Sequence, residues 1–245
     1  MKYEEINPKK SLLNYISLFW QIENPTSDAR QYTVLPDGLF DLIIIIADYK
    51  IQNITLYGIC TQEIDVIIPA NATVIGIALK PVMAEFIFKK SIANILNSQK
   101  ELDLTFWNIY QMDFNNFEGF VQQFSNAFPN EIKIDNRKID VFTLLFDSLG
   151  SITVEEISKK VFWGSRQINR YFTDKFGLSL KTYANILRCS AAYTDIRKGK
   201  LSPSVSYYDQ SHFIKEVKKY TGSNPKELHQ NENDRFLQFS PLFNL

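Results

Sequence analysis

The chain has 245 residues, 45% of them hydrophobic, which is enough for one large or two medium domains with real cores. Basic and acidic residues balance at 27 each, but unevenly: residues 151–245 carry 15 Lys and Arg against 9 Asp and Glu, and residues 1–150 carry 12 against 18. Two cysteines, Cys60 and Cys189, without metal-like spacing argue against a disulfide framework. The most apolar run, Leu42 to Ala47, is too short to span a bilayer, and the opening Met-Lys-Tyr-Glu-Glu-Ile shows no hydrophobic signal run. A cytoplasmic location is the expectation.

Leu39 to Ala47, Ile51 to Ile59, Ile64 to Ile68 and Thr73 to Leu79 are β-branched runs separated by the turn signals Pro36-Asp37-Gly38, Asp48 to Lys50 and Pro69 to Asn71. They predict an antiparallel sheet or small barrel. The Pro-Asp-Gly piece reads as a β-turn, and Trp20, Phe40 and Trp107 read as core. Helices are predicted over Pro81 to Lys89, Ile92 to Leu96 and Phe117 to Phe128. The polar stretch from Pro129 to Asn136 marks a boundary, giving a β-rich domain over 1–132 and a helical one over 133–245. Ile139, Phe142, Leu145, Phe146 and Leu149 outline the first helix of the second domain.

Thr153 caps the next helix, with Glu156 three residues on and apolar positions at 154, 157 and 161. Phe162, Trp163 and Gly164 supply a tight turn. A basic helix follows, with Ile168, Tyr171, Phe172 and Phe176 on one face, Arg166, Gln167, Asn169, Arg170 and Lys175 beside it, and Gly177 as its stop. A helix, a tight turn and a basic helix form a helix-turn-helix, in which one helix braces and the next reads DNA. The pattern recurs 45 residues later: Gly222 falls under Gly177, Lys215 under Arg170 and Phe213 under Ile168. There Phe213, Val217 and Tyr220 are apolar, and Gln210, Ser211, His212 and Lys215 are polar. A single helix from Lys181 to Arg197 is expected to join the two units. The closing run Asn233 to Leu245, with Phe236, Leu237, Phe239, Leu242 and Phe243, is expected to pack back on a domain or to meet a second subunit.

Tyr207-Tyr-Asp-Gln-Ser-His-Phe213 with Lys218, Thr221-Gly222 and Pro225, together with Arg166-Gln-Ile-Asn-Arg170, Phe172 and Phe176-Gly177, resembles the signature of the AraC/XylS family of bacterial transcription regulators. The resemblance covers about residues 138 to 230. It implies two recognition helices in successive major grooves of double-stranded DNA, with Arg166, Asn169 and Arg170 reading bases from the first and Gln210, Ser211, His212 and Lys215 from the second. Trp20, Leu35-Pro-Asp-Gly38, Asp41-Leu42, Gly58, Thr61, Gly76-Ile77 and Lys80-Pro81 resemble an amino-terminal domain found attached to such modules. That part implies a small-molecule effector, a homodimer partner, or both, with RNA polymerase as a further partner. One departure stands out. Ser206 occupies the position of the family's turn glycine, and Gly199 and Pro203 disfavour the helix that should precede it, so the second unit looks shortened by about two turns. Base reading is therefore expected chiefly from the first helix.

The fold class expected is α+β, a barrel-like β-rich domain followed by an all-α double helix-turn-helix. Lys159, Lys160, Lys175, Lys181, Lys218 and Lys219 are phosphate candidates. Catalysis is not expected, because both histidines lie in the carboxy-terminal half, no glycine-rich phosphate loop precedes a helix, and an Asp37/Asp41 pair is explained by a turn and a strand start. No cofactor or metal is expected either. The competing reading is a ligand- or partner-binding regulator whose degenerate helix-turn-helix does not read DNA specifically.

Overall fold

Alternation in Phe40-Asp-Leu-Ile-Ile-Ile-Ile-Ala47 sends Phe40, Leu42, Ile44 and Ile46 into the core and turns Asp41, Ile43 and Ile45 to the opposite face. In the computed structural model, which describes residues 1–87, 91–129, 133–202, 207 and 209–243, this segment is an inner strand of a six-stranded antiparallel sheet. The strands are β1 (Lys2–Ile6), β2 (Ile16–Asn24), β3 (Arg30–Val34), β4 (Phe40–Ala47), β5 (Lys50–Tyr57), β6 (Ile64–Ile68), β7 (Ala72–Leu79) and β8 (Gln99–Leu102). The large sheet runs β1-β2-β7-β4-β5-β8, and β3 pairs with β6 as a separate ribbon. Among the described residues the sheet is open, with β1 and β8 as its edges, which corrects the barrel expectation. The ribbon covers its second face, where Tyr32 and Ile68 pack with Tyr3, Ile22 and Val74.

Short helical pieces and one longer helix cover the first face of the sheet. Helix α1 (Met83–Ile87) is short, and its expected extension to Lys89 runs into residues outside those described. The Ile92 to Leu96 expectation is a 3-10 turn, Ala93–Ile95. Helix α2 (Phe117–Ala127) begins at Asn116, whose side chain accepts from the backbone N–H groups of Glu118 and Gly119, and lays Phe120, Val121 and Phe124 on the sheet. Phe19 and Phe124 meet edge to face, with ring centroids 5.7 Å apart.

The carboxy-terminal half contains α3 (Asn136–Asp147), α4 (Val154–Val161), α5 (Ser165–Phe176), α6 (Leu180–Ala191), α7 (Tyr193–Arg197), α8 (Gln210–Thr221) and α9 (Pro225–Gln230). The expected joining helix is therefore two helices meeting at Ala192. Helix α9 adds to the expected elements; Asn224, Pro225 and Glu227 start it with a capping box and proline at the first position. The largest buried cluster runs without a break from Ile16, Phe19 and Leu42 of the sheet, through Phe120 and Phe124, to Phe142, Phe172 and Tyr183 of the helices. Burying each such side chain contributes about 1.5–3 kcal/mol, and the shared cluster couples the sheet to the helices.

Backbone and side-chain bonds also tie the halves together. The Pro-Asp-Gly turn docks on α6 and α7: the Tyr183 hydroxyl donates to the Gly38 carbonyl at 2.8 Å, and the Tyr193 hydroxyl to the Pro36 carbonyl at 2.9 Å. Gly38 is left-handed at φ +83°, and a Cβ there would press on Leu187. The closing segment folds back on its own chain. The Thr33 N–H donates to the Arg235 carbonyl, Gln238 exchanges two bonds with the Leu35 backbone at 3.1 and 3.0 Å, and Leu237 enters the cluster beneath the ribbon.

Asp37 and Asp41 are brought together at this junction. Burial, and then the neighbouring Asp37 charge, push the Asp41 carboxyl up to about 8, and burial raises Asp37 as well. An aspartate that titrates at 3.8 when unfolded and near 8 when folded makes the native state bind more protons between those values. Stability must then fall as pH rises through that window. Thermal unfolding is expected at a higher temperature near about pH 5.5 than near about pH 8, with Asp41→Asn flattening the difference.

Candidate nucleic-acid interface

Thr153 and Glu156 close a reciprocal cap at the start of α4: the Thr153 N–H donates to Glu156 Oε2 at 2.9 Å, and the Glu156 N–H to Thr153 Oγ1 at 3.3 Å. The Thr153 N–H, and then the Thr153 hydroxyl donating to the same oxygen at 2.8 Å, hold the Glu156 carboxyl below the ordinary carboxylate range. The helix ends at Phe162, left-handed at φ 50°, and Gly164 begins α5, giving the predicted helix, turn and helix. Phe162 is 91% exposed in that turn, an exposure that its place in a turn signal does not reveal.

Helix α5 buries Ile168, Phe172 and Phe176. Its outer face carries Arg166, Gln167 and Arg170, all exposed, with Asn169 half-buried. Two of these polar side chains already have local bonds. Gln167 Oε1 accepts from the Gly164 N–H at 3.2 Å, and Asn169 Nδ2 donates to the Ser165 carbonyl at 3.1 Å. Asn169 keeps one N–H and its carbonyl oxygen for an outside partner.

Lys175 departs from its expected role. It is 8% exposed, and its ammonium turns inward to Glu85 of α1 at 3.5 Å, so it does not face a phosphate. The reason is positional, since residue 175 lies on the same side of the helix as Phe172 and Phe176. Burial lowers its ammonium, and the Glu85 charge opposes that shift. Glu85 also holds Lys138 of α3 at 3.0 Å, and the Ser91 hydroxyl and Ile92 N–H bond the Asp174 and Lys175 carbonyls at 2.6 and 2.8 Å. The β-rich half thus supplies partners for carbonyls left open at the end of α5. Neither Glu85 nor Ser91 is marked by the sequence, because no local pattern shows a contact across more than 80 residues.

Helix α8 spans 12 residues, as α5 does, and each of its ends lies 45 residues after the matching end of α5. Both helices stop at a left-handed glycine, Gly177 at φ 77° and Gly222 at φ 68°. Asp209 caps α8, accepting from the His212 N–H at 2.7 Å. Gln210, Ser211, His212 and Lys215 are exposed together, and Ile214, at the position equivalent to Asn169, is 38% exposed. Lys159, Lys160, Lys181, Lys218 and Lys219 are exposed as well. Residues 203–206, which include Pro203 and the Ser206 departure, lie outside the described residues; between α7 and α8 no further helix occurs among those described.

Among the described residues no group of three or more His, Cys, Asp and Glu is placed to hold a metal ion, and no helix is long and apolar enough to cross a membrane.

No curated protein matches the chain in sequence. Residues 4–101 match DUF6597, a domain of unknown function. Among solved structures, the chain is similar to ToxT from Vibrio cholerae. A ToxT structure from strain O395 shares 12% identity over 95% of this chain and 97% of that one, with a TM-score of 0.44. Wild-type ToxT from strain SCE256 with an unsaturated fatty acid bound shares 13% over 88% of this chain and 95% of that one, with a TM-score of 0.46. The DUF6597 match thus runs along the strands of the six-stranded sheet, from β1 to β8.

Proposed function

We propose that this protein is a sequence-specific DNA-binding transcription regulator of the AraC type, working in the cytoplasm by binding rather than catalysis. Residues 133–245 would engage duplex DNA. Residues 1–132 would sense a small-molecule effector or pair with a second copy, and RNA polymerase is a further partner. The observation that carries the reading is the pair of 12-residue helices set 45 residues apart, each stopped by a left-handed glycine and each presenting a polar outer face. Such a face can enter a major groove, where arginine pairs with guanine edges and asparagine with adenine. Arg166, Asn169 and Arg170 fill those roles on α5. On α8 the work falls to Gln210, Ser211, His212 and Lys215, with Ile214 placed for apolar contact with a thymine methyl.

Phosphate neutralisation supplies most of the affinity and makes it depend on salt. Replacing Lys159 or Lys160 by Ala should weaken binding to all duplexes alike and make the salt slope shallower by about 1 for each phosphate that goes unneutralised. The reading is tested by anisotropy titration of full-length protein against a labelled mixed-sequence duplex over a range of salt. Binding that weakens steeply with salt, and that drops in an Arg166→Ala/Arg170→Ala double variant, supports it. Binding that is flat with salt and untouched by the double variant removes it.

A further inference from the structure

A cleft of about 530 Å³ lies beside α1 and the carboxy-terminal end of α2. Its volume lies within the range of about 300–1,000 Å³ usual for small-molecule sites. Phe86, Trp107, Phe124 and Phe128 form its walls. Around Trp107 the ring centroids of Phe86, Phe124 and Phe128 lie at 6.2, 5.7 and 6.0 Å. Trp107 and Asn108 are both left-handed, at φ 51° and 54°, which is uncommon for a bulky side chain and places the Trp107 ring against the cleft.

Among the described residues the polar lining comes from three amides, Asn108, Gln111 and Gln123, and none of the described lining residues carries a charge. Gln123 uses its oxygen on the Asp113 N–H, which leaves its NH₂ as a donor. Gln111 uses its NH₂ on the Tyr110 hydroxyl, which leaves its oxygen as an acceptor. Flat aromatic walls with neutral donors and acceptors suit an uncharged aromatic molecule. An ionised ligand would meet no counter-charge from the described lining.

The cleft also has a route to the DNA-facing helices. Phe86 forms its wall, and the residue before it, Glu85, holds Lys138 and Lys175 at 3.0 and 3.5 Å. Helix α1 therefore touches the cleft with Phe86 and helix α5 with the residue before it, Glu85. We propose that this cleft binds an uncharged, flat aromatic effector bearing one hydrogen-bonding group, and that α1 carries its effect to α5. The second clause rests on the DNA-binding reading; the first does not.

The test uses full-length protein with indole and 2-naphthol as probes, followed by saturation-transfer NMR and calorimetry. Both should bind saturably, and indole-3-carboxylate should bind about tenfold or more weakly than indole. Ala127 lines the cleft from an exposed position, so Ala127→Trp fills it without disturbing the core and should weaken indole about tenfold or more. The site is overturned if neither probe binds the folded protein, if Ala127→Trp binds indole as wild type does, or if the carboxylate binds as tightly as indole. Coupling is read on a duplex that the wild type binds. Saturating indole should change that affinity about twofold or more in wild type and leave it unchanged in Glu85→Gln, which still binds indole. An unchanged wild-type affinity overturns the coupling alone. A protein that binds no duplex fails the DNA reading, and calorimetry then decides the site by itself.

Discussion

Replacing Phe172 by Ala is expected to destabilise the whole chain by about 3–5 kcal/mol. Phe172 is fully buried at the meeting point of α3, α5 and α6, with Phe142, Phe176 and Tyr183 rings at 5.4, 5.4 and 5.5 Å. Truncation removes the ring from water-free surroundings and leaves a void that aromatic neighbours cannot close. Because the same cluster continues into the sheet, both halves should lose stability together. Denaturant unfolding followed by tryptophan fluorescence and by circular dichroism checks this, and coincident curves shifted to lower denaturant are expected. Two separated transitions, with only the helical signal shifted, would show that the halves are independent after all.

Arg170→Ala is expected to weaken binding to the preferred duplex by about 1–3 kcal/mol, about 5- to 150-fold, and to relax preference at one base position. Arg170 stands exposed on α5, at the position that Lys215 repeats on α8. A guanidinium can bond the O6 and N7 of guanine together, whereas the lysine ammonium is a point charge, so the two helices should differ in sharpness at this site. Competition titrations against duplexes altered one base pair at a time measure both effects. Lys175→Ala offers a contrast, since its ammonium is turned to Glu85; it should change stability more than it changes the salt slope.

The helical half is legible in the sequence because its signals are local. Thr153 with Glu156, Gly177 and Gly222 are caps and stops that act within one turn, and the buried positions of α5 and α8 recur at helical spacing. The strands divide by the same logic. β4, β5, β6 and β7 carry β-branched runs between turn residues and are readable. β1 and β8, Lys-Tyr-Glu-Glu-Ile and Gln-Lys-Glu-Leu, are charged edge strands whose polarity suits an edge and hides the strand pattern. β2 is hidden for another reason. A register shift between Ile16 and Leu18 breaks its alternation, and the ribbon covers its second face.

Long-range placement is out of reach of such signals. Nothing near Glu85 marks it as the partner of Lys138 and Lys175, and nothing near Trp107 separates a core ring from the wall of a cleft. Asp37 and Asp41 are explained locally as a turn and a strand start, which they are, yet the fold also buries both, and the Asp37 charge acts on Asp41 there. Their proton affinity is a property of that junction and of neither segment alone.

The measurement that tests the central claim most directly is selection of bound duplexes from a random DNA pool by purified full-length protein. The account predicts an enriched motif, and Arg170→Ala should lose preference at one of its positions. Two half-sites about one helical turn apart would show α5 and α8 reading together, and a single short motif would confine base reading to α5. A folded protein that enriches no sequence, with and without cell extract as a source of effector, would contradict the claim and leave the partner-binding regulator as the better description.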